Sequence, residues 1–342
     1  MNLLYSNPAV TANGSAERPR HLVVAVNPES RRGGGKAAGA ATVAALREAG
    51  YAVTEVSESS YAQLRLLTGN ALDGRPLDSR PLDSQARVGS ATSAGGRDKV
   101  DALIVVGGDG MMSMAVNLVG DSGLPVGLIP SGSGNDWARD LGIPWRNRSA
   151  AIRNLLAALE MPPRLVDTVR VRRDGADDVW VAGMICAGFD AVVNAEANSM
   201  RWPRGASRYR LATLRVLHKL KPISYRLEID GVAMNTVASV VTISNVGSIG
   251  GGIAVSPQAR IDDGKIDVFV LAPVSPLNFL RLLSKASNGS HLFDRRVSIY
   301  RAERIRIEAE GVIAFADGES LGPLRLDVEV VPHSLRVLAP LP

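Results

Sequence analysis

The sequence predicts an N-terminal doubly wound α/β domain followed by a C-terminal antiparallel β-rich sandwich domain. Three observations point there. Short apolar, β-branched runs at 21–27, 51–56, 101–106 and 125–129 alternate with helix-like segments, as in a parallel sheet with right-handed crossovers. From about Pro162 alternating runs separated by Asp-Gly turns take over, the texture of hairpins. The chain has 342 residues, which suits two domains at roughly 100–200 residues each.

In the first domain, placed at 20–155, the run HLVVAVN (21–27) is a strand ending at Asn-Pro, and 36–50 is an Ala-rich helix. A second strand covers 51–56. Residues 70–99, rich in Gly, Ser, Asp, Pro and Arg with a short tandem echo of RPLDS, read as a mobile surface insertion. The strand at 101–106 runs into Gly107-Gly108-Asp109-Gly110 and an apolar helix over 111–119. The strand at 125–129 leads into a Ser/Gly loop and a short helix over 136–141.

The second domain, placed at 160–323, contains alternating runs at 165–171, 179–186, 225–229 and 238–243, with turns at Asp174-Gly175 and Asp230-Gly231. The alternating end of the chain, 324–342, suits either domain.

Composition narrows the function. With 46% hydrophobic and 21% charged residues, the chain has ordinary globular composition, and no apolar run approaches the ~20 residues a membrane helix needs. The N-terminus lacks the basic start and apolar core of a secretory signal, so the cytoplasm is the expected compartment. The single cysteine, Cys186, forms no internal disulfide, and the four histidines are scattered. The net charge is +5, yet residues 201–222 hold seven Lys or Arg and no acid. That window should attract an anion, an anionic membrane or nucleic acid. Aromatics make up 4% of the chain and do not interleave with the basic residues, which argues against nucleic acid.

The Gly107-Gly108-Asp109-Gly110 loop lies where ligands bind in doubly wound sheets. Its glycines let backbone N–H groups approach an anion, and the following helix N-terminus adds positive partial charge. Asp109 would repel bare phosphate, so it points to a bridging Mg²⁺; the plainer reading is a βα turn with a capping Asp. Pro130-Ser131-Gly132-Ser133-Gly134-Asn135-Asp136 repeats the design one unit later, with Asn135 or Asp136 available as a cap. Asn27-Pro28-Glu29-Ser30, with Arg31 and the glycines at 33–35, forms a third loop, and it is not a Walker A motif.

These loops in this order resemble the diacylglycerol kinase catalytic domain family, specifically the bacterial soluble lipid kinases related to sphingosine kinases. The resemblance spans about 20–340 without 70–99. It also rests on Ala187-Gly188-Phe189-Asp190, the segment from Ala259 to Asp267, and Asp317-Gly318-Glu319. The GGDG loop alone would be shared with NAD kinases and phosphofructokinases, whose nucleotide-binding domain this one resembles; the later segments separate the families.

The resemblance implies transfer of the γ-phosphate of ATP, with Mg²⁺, to a lipid hydroxyl, with diacylglycerol the first expectation. It implies catalytic roles for Asp109, Asp317 and Glu319. Nucleotide contacts would come from Asn27, Pro28, Glu29, Ser30 and Arg31, from Gly107, Gly108, Asp109, Gly110, Met111, Met112 and Ser113, and from Ser133, Gly134, Asn135 and Asp136. It further implies a structural Mg²⁺ held by the Asp263 carboxylate and the carbonyls of Arg260 and Lys265, although Asp263-Gly264 also reads as a hairpin turn. In phosphoryl transfer one carboxylate can serve the metal and another accept the hydroxyl proton; the residues leave open which of Asp317 and Glu319 does so, with Glu319 preferred.

The expected partners are a lipid at an anionic membrane surface and ATP, with peripheral attachment to the inner face and a homodimer as a family expectation only. Leu211, Leu214, Leu217 and Leu220 within the basic window suit an interfacial helix or a helix packed on its own domain, and 279–283 is a second apolar candidate for lipid entry. Met111 stands where the family has Thr, a loss of one hydroxyl near the phosphates. Two other readings stay open, a soluble kinase acting on NAD and a nucleotide-binding regulatory protein with weak turnover.

Overall fold

A computed structural model describes residues 19–30, 33–77, 99–200, 202 and 206–340. Arg31, Arg32 and residues 78–98 of the expected insertion lie outside them.

The first half runs β1 (His21–Val26), α1 (Gly34–Glu48), β2 (Ala52–Ser57), α2 (Tyr61–Leu72), β3 (Val100–Gly107), α3 (Asp109–Val119), β4 (Val126–Pro130), α4 (Asp136–Asp140) and α5 (Arg148–Leu159). The second runs β5 (Arg164–Arg173), β6 (Ala176–Val181), β7 (Met184–Cys186), α6 (Phe189–Ser199), α7 (Ala206–Val216), β8 (Ile223–Ile229), β9 (Val232–Ala238), β10 (Val240–Ser244), β11 (Ile266–Leu271), α8 (Pro276–Lys285), β12 (Val297–Ala302), β13 (Arg304–Glu308), β14 (Ile313–Ala316), β15 (Glu319–Pro323) and β16 (Leu326–Leu338).

Strands β2, β1, β3 and β4 are parallel neighbours. Leu22 to Val26 of β1 are all buried, because helices cover both faces of the parallel sheet and leave no polar side to the strand. At the C-terminal ends of these strands the chain must turn into helices, and that is where its Gly- and Ser-rich loops sit.

The two expected domains are not separate sheets. The thirteen residues of β16 pair antiparallel with β13 and β5 and then, at Val337↔Val126 and Leu338↔Gly127, parallel with β4. One strand therefore fuses the parallel and antiparallel halves into a single path ending β4-β16-β13-β8-β9. An irregularity between Val331 and Leu335, around Pro332 and a left-handed His333 (φ 53°), lets it bend from one half to the other. A second sheet, β12-β11-β10-β7-β14-β15, is antiparallel throughout and packs against the antiparallel half, with Ile185, Val241, Ile243, Ile305 and Leu326 in the shared core.

Several expectations are corrected. Helix α2 is not among the expected elements, and its last residues fall within the expected 70–99 insertion; Ser60 opens it by accepting the Gln63 N–H, and Leu64 and Leu67 pack on the core. The run at 179–186 breaks between β6 and β7 at Ala182-Gly183, and the run at 238–243 breaks at Ser239. Asp263-Gly264 is not a hairpin turn, because β10 and β11 are joined by the long loop 245–265. In the basic window, Ala212 and Val216 are buried and Leu211, Leu217 and Leu220 pack on the Phe189 cluster, so most of the apolar face of α7 covers its own domain. Leu214 remains exposed.

Candidate active site

Three loops converge where β1, β3 and β4 end. Ser30 and Ser131 join by a hydroxyl hydrogen bond of 2.8 Å, and the Ser131 N–H donates to the Gly107 carbonyl at 2.7 Å. The second and third loops touch backbone to backbone: a Cβ on Gly132 would stand 2.3 Å from the Gly108 Cα. Glycine at both positions is what allows this approach. Asn27 holds the first loop, its side chain accepting the Glu29 N–H at 3.0 Å and its carbonyl the Ser30 N–H.

Asn135 does not cap α4 with its side chain. It adopts a left-handed φ of 55° and folds back, its amide accepting from Gly132 N–H and donating to the Gly132 carbonyl. The cap comes instead from Asp109, whose Oδ1 accepts the Trp137 N–H at 3.0 Å. Around Gly134 the Asp109 and Asp136 carboxylates crowd together, since a Cβ there would lie 2.6 Å from Asp109 Oδ2 and 3.2 Å from Asp136 Oδ2. Burial, and then the neighbouring Asp136, pushes Asp109 up to about 6. Asp136 is paired to Arg139, whereas Asp109 has no cationic partner among the described residues, so Asp109 is the hard oxygen donor at this glycine loop that fits a divalent cation.

Asp136 and Asp140 also tie this half to the other. Asp136 accepts from Ser248 Oγ at 2.9 Å and Gly251 N–H at 2.8 Å, and Asp140 accepts the Gly247 N–H at 3.0 Å. The loop 247–251 thus closes over α4, with Arg139 paired to Asp136 and lying on the Trp145 ring.

Met111 and Met112 are buried in the core, and Met111 fills the space against the Gly107 Cα. Ser113 is buried too. The side chain that replaces the family's Thr packs on Gly107 of the loop itself and brings no hydroxyl there.

The Asp317-Gly318-Glu319 segment is the tip of the β14–β15 hairpin, with positive φ at both Asp317 (49°) and Gly318 (94°), the backbone of a two-residue type I′ turn. The turn separates the two acids. Asp317 accepts the N–H groups of Ala182, Gly183 and Met184 at 3.0 Å each, which places it on the break between β6 and β7. Glu319 is exposed. Asn198 of α6 clamps the turn through the Gly318 carbonyl at 2.6 Å. Tyr61, from the first turn of α2, lies within the field of Glu319 and Asp317, and burial followed by those charges raises its phenol. The hairpin therefore faces the first half across the cleft.

Beside the cleft, α6, α7, α8, β10 and β11 enclose an apolar cavity of about 160 Å³ lined by Val193, Tyr209, Phe269, Phe279 and Leu282 among others. One wall is polar: Asp190 accepts from Thr242 Oγ1 at 2.7 Å, and Asn194 Oδ1 is buried with no donor among the described residues. Sequence reasoning missed this wall and the 247–251 latch, because both join residues far apart in the chain.

Comparison with known proteins decides the family. The model of the diacylglycerol kinase catalytic domain matches residues 21–170, and that of the YegS C-terminal NAD kinase beta sandwich-like domain matches 183–339. A diacylglycerol kinase of Mycobacterium tuberculosis (strain CDC 1551 / Oshkosh) is 35% identical over 243 residues, 70% of this chain and 77% of the relative. The chain belongs to the diacylglycerol kinase family. It is a lipid kinase. A diacylglycerol kinase of Bacillus subtilis (strain 168) is 26% identical over 227 residues, 66% of this chain and 73% of that one. The fold is that of a diacylglycerol kinase from Bacillus anthracis str. Sterne, with a TM-score of 0.65, 19% identity, and coverage of 94% of this chain and 97% of that one.

The family position for a structural Mg²⁺ is built differently here. Asp263 Oδ1 accepts the Lys265 N–H at 3.1 Å, and its Oδ2 accepts from the Arg301 guanidinium. At Asp263 a side-chain cation already answers the carboxylate that the resemblance, with the carbonyls of Arg260 and Lys265, gives to the metal.

Proposed function

We propose that this lipid kinase transfers the γ-phosphoryl group of ATP to a hydroxyl of diacylglycerol, giving phosphatidic acid and ADP. The observation that carries the reading is the division of the hairpin acids: Asp317 is taken up by three backbone N–H groups, and Glu319 is left exposed on the turn that faces the loop cradle.

The phosphates are received at the mouth of the three loops beside the N-terminus of α3, with Gly108 and Gly132 letting two of the loops close on each other. Asp109 would hold a Mg²⁺ ion, which would supply neutralisation of the charge on the transferring group. Asp109 also fixes α4, so the carboxylate is oriented before a ligand arrives. Glu319 accepts the acceptor's hydroxyl proton as the new O–P bond forms and the bond to the ADP oxygen breaks. Asp317 positions it by fixing the turn. The apolar cavity receives acyl chain.

A docking face for an anionic leaflet fits the same reading. Phe293 is 90% exposed and Leu277 59% exposed, on a segment that also carries exposed Arg281, Lys285 and Arg295. Apolar side chains and cations together favour such a surface by about 1 kcal/mol per cation.

The test is transfer of labelled γ-phosphate to a lipid panel in anionic mixed micelles, with NAD as a parallel acceptor and Asp109→Ala as control. Labelled phosphatidic acid that disappears in the control supports the reading. Label on another lipid changes the acceptor, and label on NAD overturns the assignment.

A further inference from the structure

Groups of the chain stitch the segment from Arg260 to Asp267 to three strands. Asp167, at 0% exposure, donates its N–H to the Ile261 carbonyl and accepts from Gly264 N–H at 2.7 Å and His333 N–H at 2.8 Å. Arg164 pairs with Asp262 at 2.7 Å, and Lys265 Nζ with Glu303 at 2.7 Å. Strands β5, β12–β13 and β16 are thereby joined at one turn, which is the work a structural cation would do by gathering carbonyls and carboxylates.

Two carboxylates at this turn, Asp263 and Asp267, share one guanidinium. Asp267 and Arg301 are directly opposed in the β11–β12 register, so their side chains rise from facing positions on one side of the sheet. From there Arg301 Nε lies 3.5 Å from Asp267 Oδ1, and its Nη2 donates to Asp263 Oδ2. The Asp267 side chain is only 2% exposed, and Arg301 is its one cationic partner among the described residues. A metal ion bridging the two acids would have to displace Arg301.

We propose that Arg301 is the resident cation of this turn, standing in the place of a divalent metal ion, so that the fold itself requires no metal there. The planar, permanently charged guanidinium suits the task, since it reaches both acids at once through different nitrogens. Metal dependence in this chain is then confined to catalysis.

The test uses stability, so its failure is distinct from a failure of the lipid-kinase reading. Without nucleotide, any rise in melting temperature that Mg²⁺ or Mn²⁺ gives over EDTA should be the same in wild type and Asp263→Asn to within about 1 °C, because a ligand that binds the native state raises it by mass action and this turn should bind none. Arg301→Gln should melt about 2–5 °C lower in EDTA and recover when Mg²⁺ or Mn²⁺ is added, since two unanswered carboxylates then form a cation site. Arg301→Lys keeps the charge and should stay insensitive to metal. As a measurement independent of those variants, Mn²⁺ counted by electron paramagnetic resonance should be equal for wild type and Asp263→Asn. The proposal is overturned if the wild type is stabilised by metal and Asp263→Asn abolishes that response, if the wild type binds a Mn²⁺ that Asp263→Asn loses, or if Arg301→Gln neither melts lower nor responds to metal.

Discussion

Asp109 Oδ1 accepts the N–H of Trp137, so the acid of one βα loop caps the helix that follows the next. The residue thus has a structural duty and a chemical one, and substitutions can separate them.

Asp109→Asn keeps an oxygen for the cap and loses the charge. Its melting temperature should equal or exceed that of wild type without nucleotide, while turnover falls by at least ~10²-fold. Asp109→Ala should lose turnover equally and also about 1 kcal/mol of stability. Paired melting curves and labelled-phosphate assays check both.

The contributions of Asp109 and Asp140 to stability should fall as pH rises from about 4 to 6. Asp109 and Asp140 are both pushed up to about 6, mainly by burial. Between the ordinary carboxylate value and 6 the native state therefore binds more protons than the unfolded chain, and the derivative of stability with pH is negative. His291, held low by burial, acts in the opposite sense as pH drops. Subtracting the Asp109→Asn profile from that of wild type isolates the Asp109 contribution; a difference that is flat across this window would refute it.

Glu319→Gln should lower kcat by at least ~10²-fold while leaving ATP affinity nearly unchanged. Asp317→Asn should instead lower the melting temperature along with kcat, because an amide cannot accept from all three N–H groups and an unmet buried donor costs about 1–3 kcal/mol. Equal stability losses in the two variants would remove the proposed division of labour.

Val193→Phe narrows the apolar cavity. Turnover of long-chain acceptors should drop about tenfold relative to short-chain ones, read as a ratio of kcat/KM values so that general damage cancels.

Phe293→Ser should weaken sedimentation with anionic vesicles by about tenfold or more, from the loss of an apolar side chain worth about 1.5–3 kcal/mol when buried. Activity on a dispersed short-chain lipid should be unchanged, because the side chain points to solvent.

The loop cradle was legible in the sequence because its chemistry is local: glycine where backbones must approach, and Ser or Asp where N–H groups need partners. Helix α2 was not, since its apolar residues, Leu64 and Leu67 among them, sit between polar ones just before a Gly- and Pro-rich run. The roles of Asp317 and Glu319 depended on the φ values of one turn. The direction of Met111, the latch from Asp136 to Gly251 and the bridge from Arg301 to Asp263 arise from contacts between distant segments, which spacing does not encode.

The strand that belongs to both sheet halves has a consequence for how the protein comes apart. With β16 removed, β4 would be left with a bare hydrogen-bonding edge on an apolar sheet, an invitation to aggregate. A fragment ending near residue 155 is therefore a poor candidate for independent expression. The strand that seals the first sheet is made well after the strands it joins, so completion of that sheet waits for the synthesis of β16.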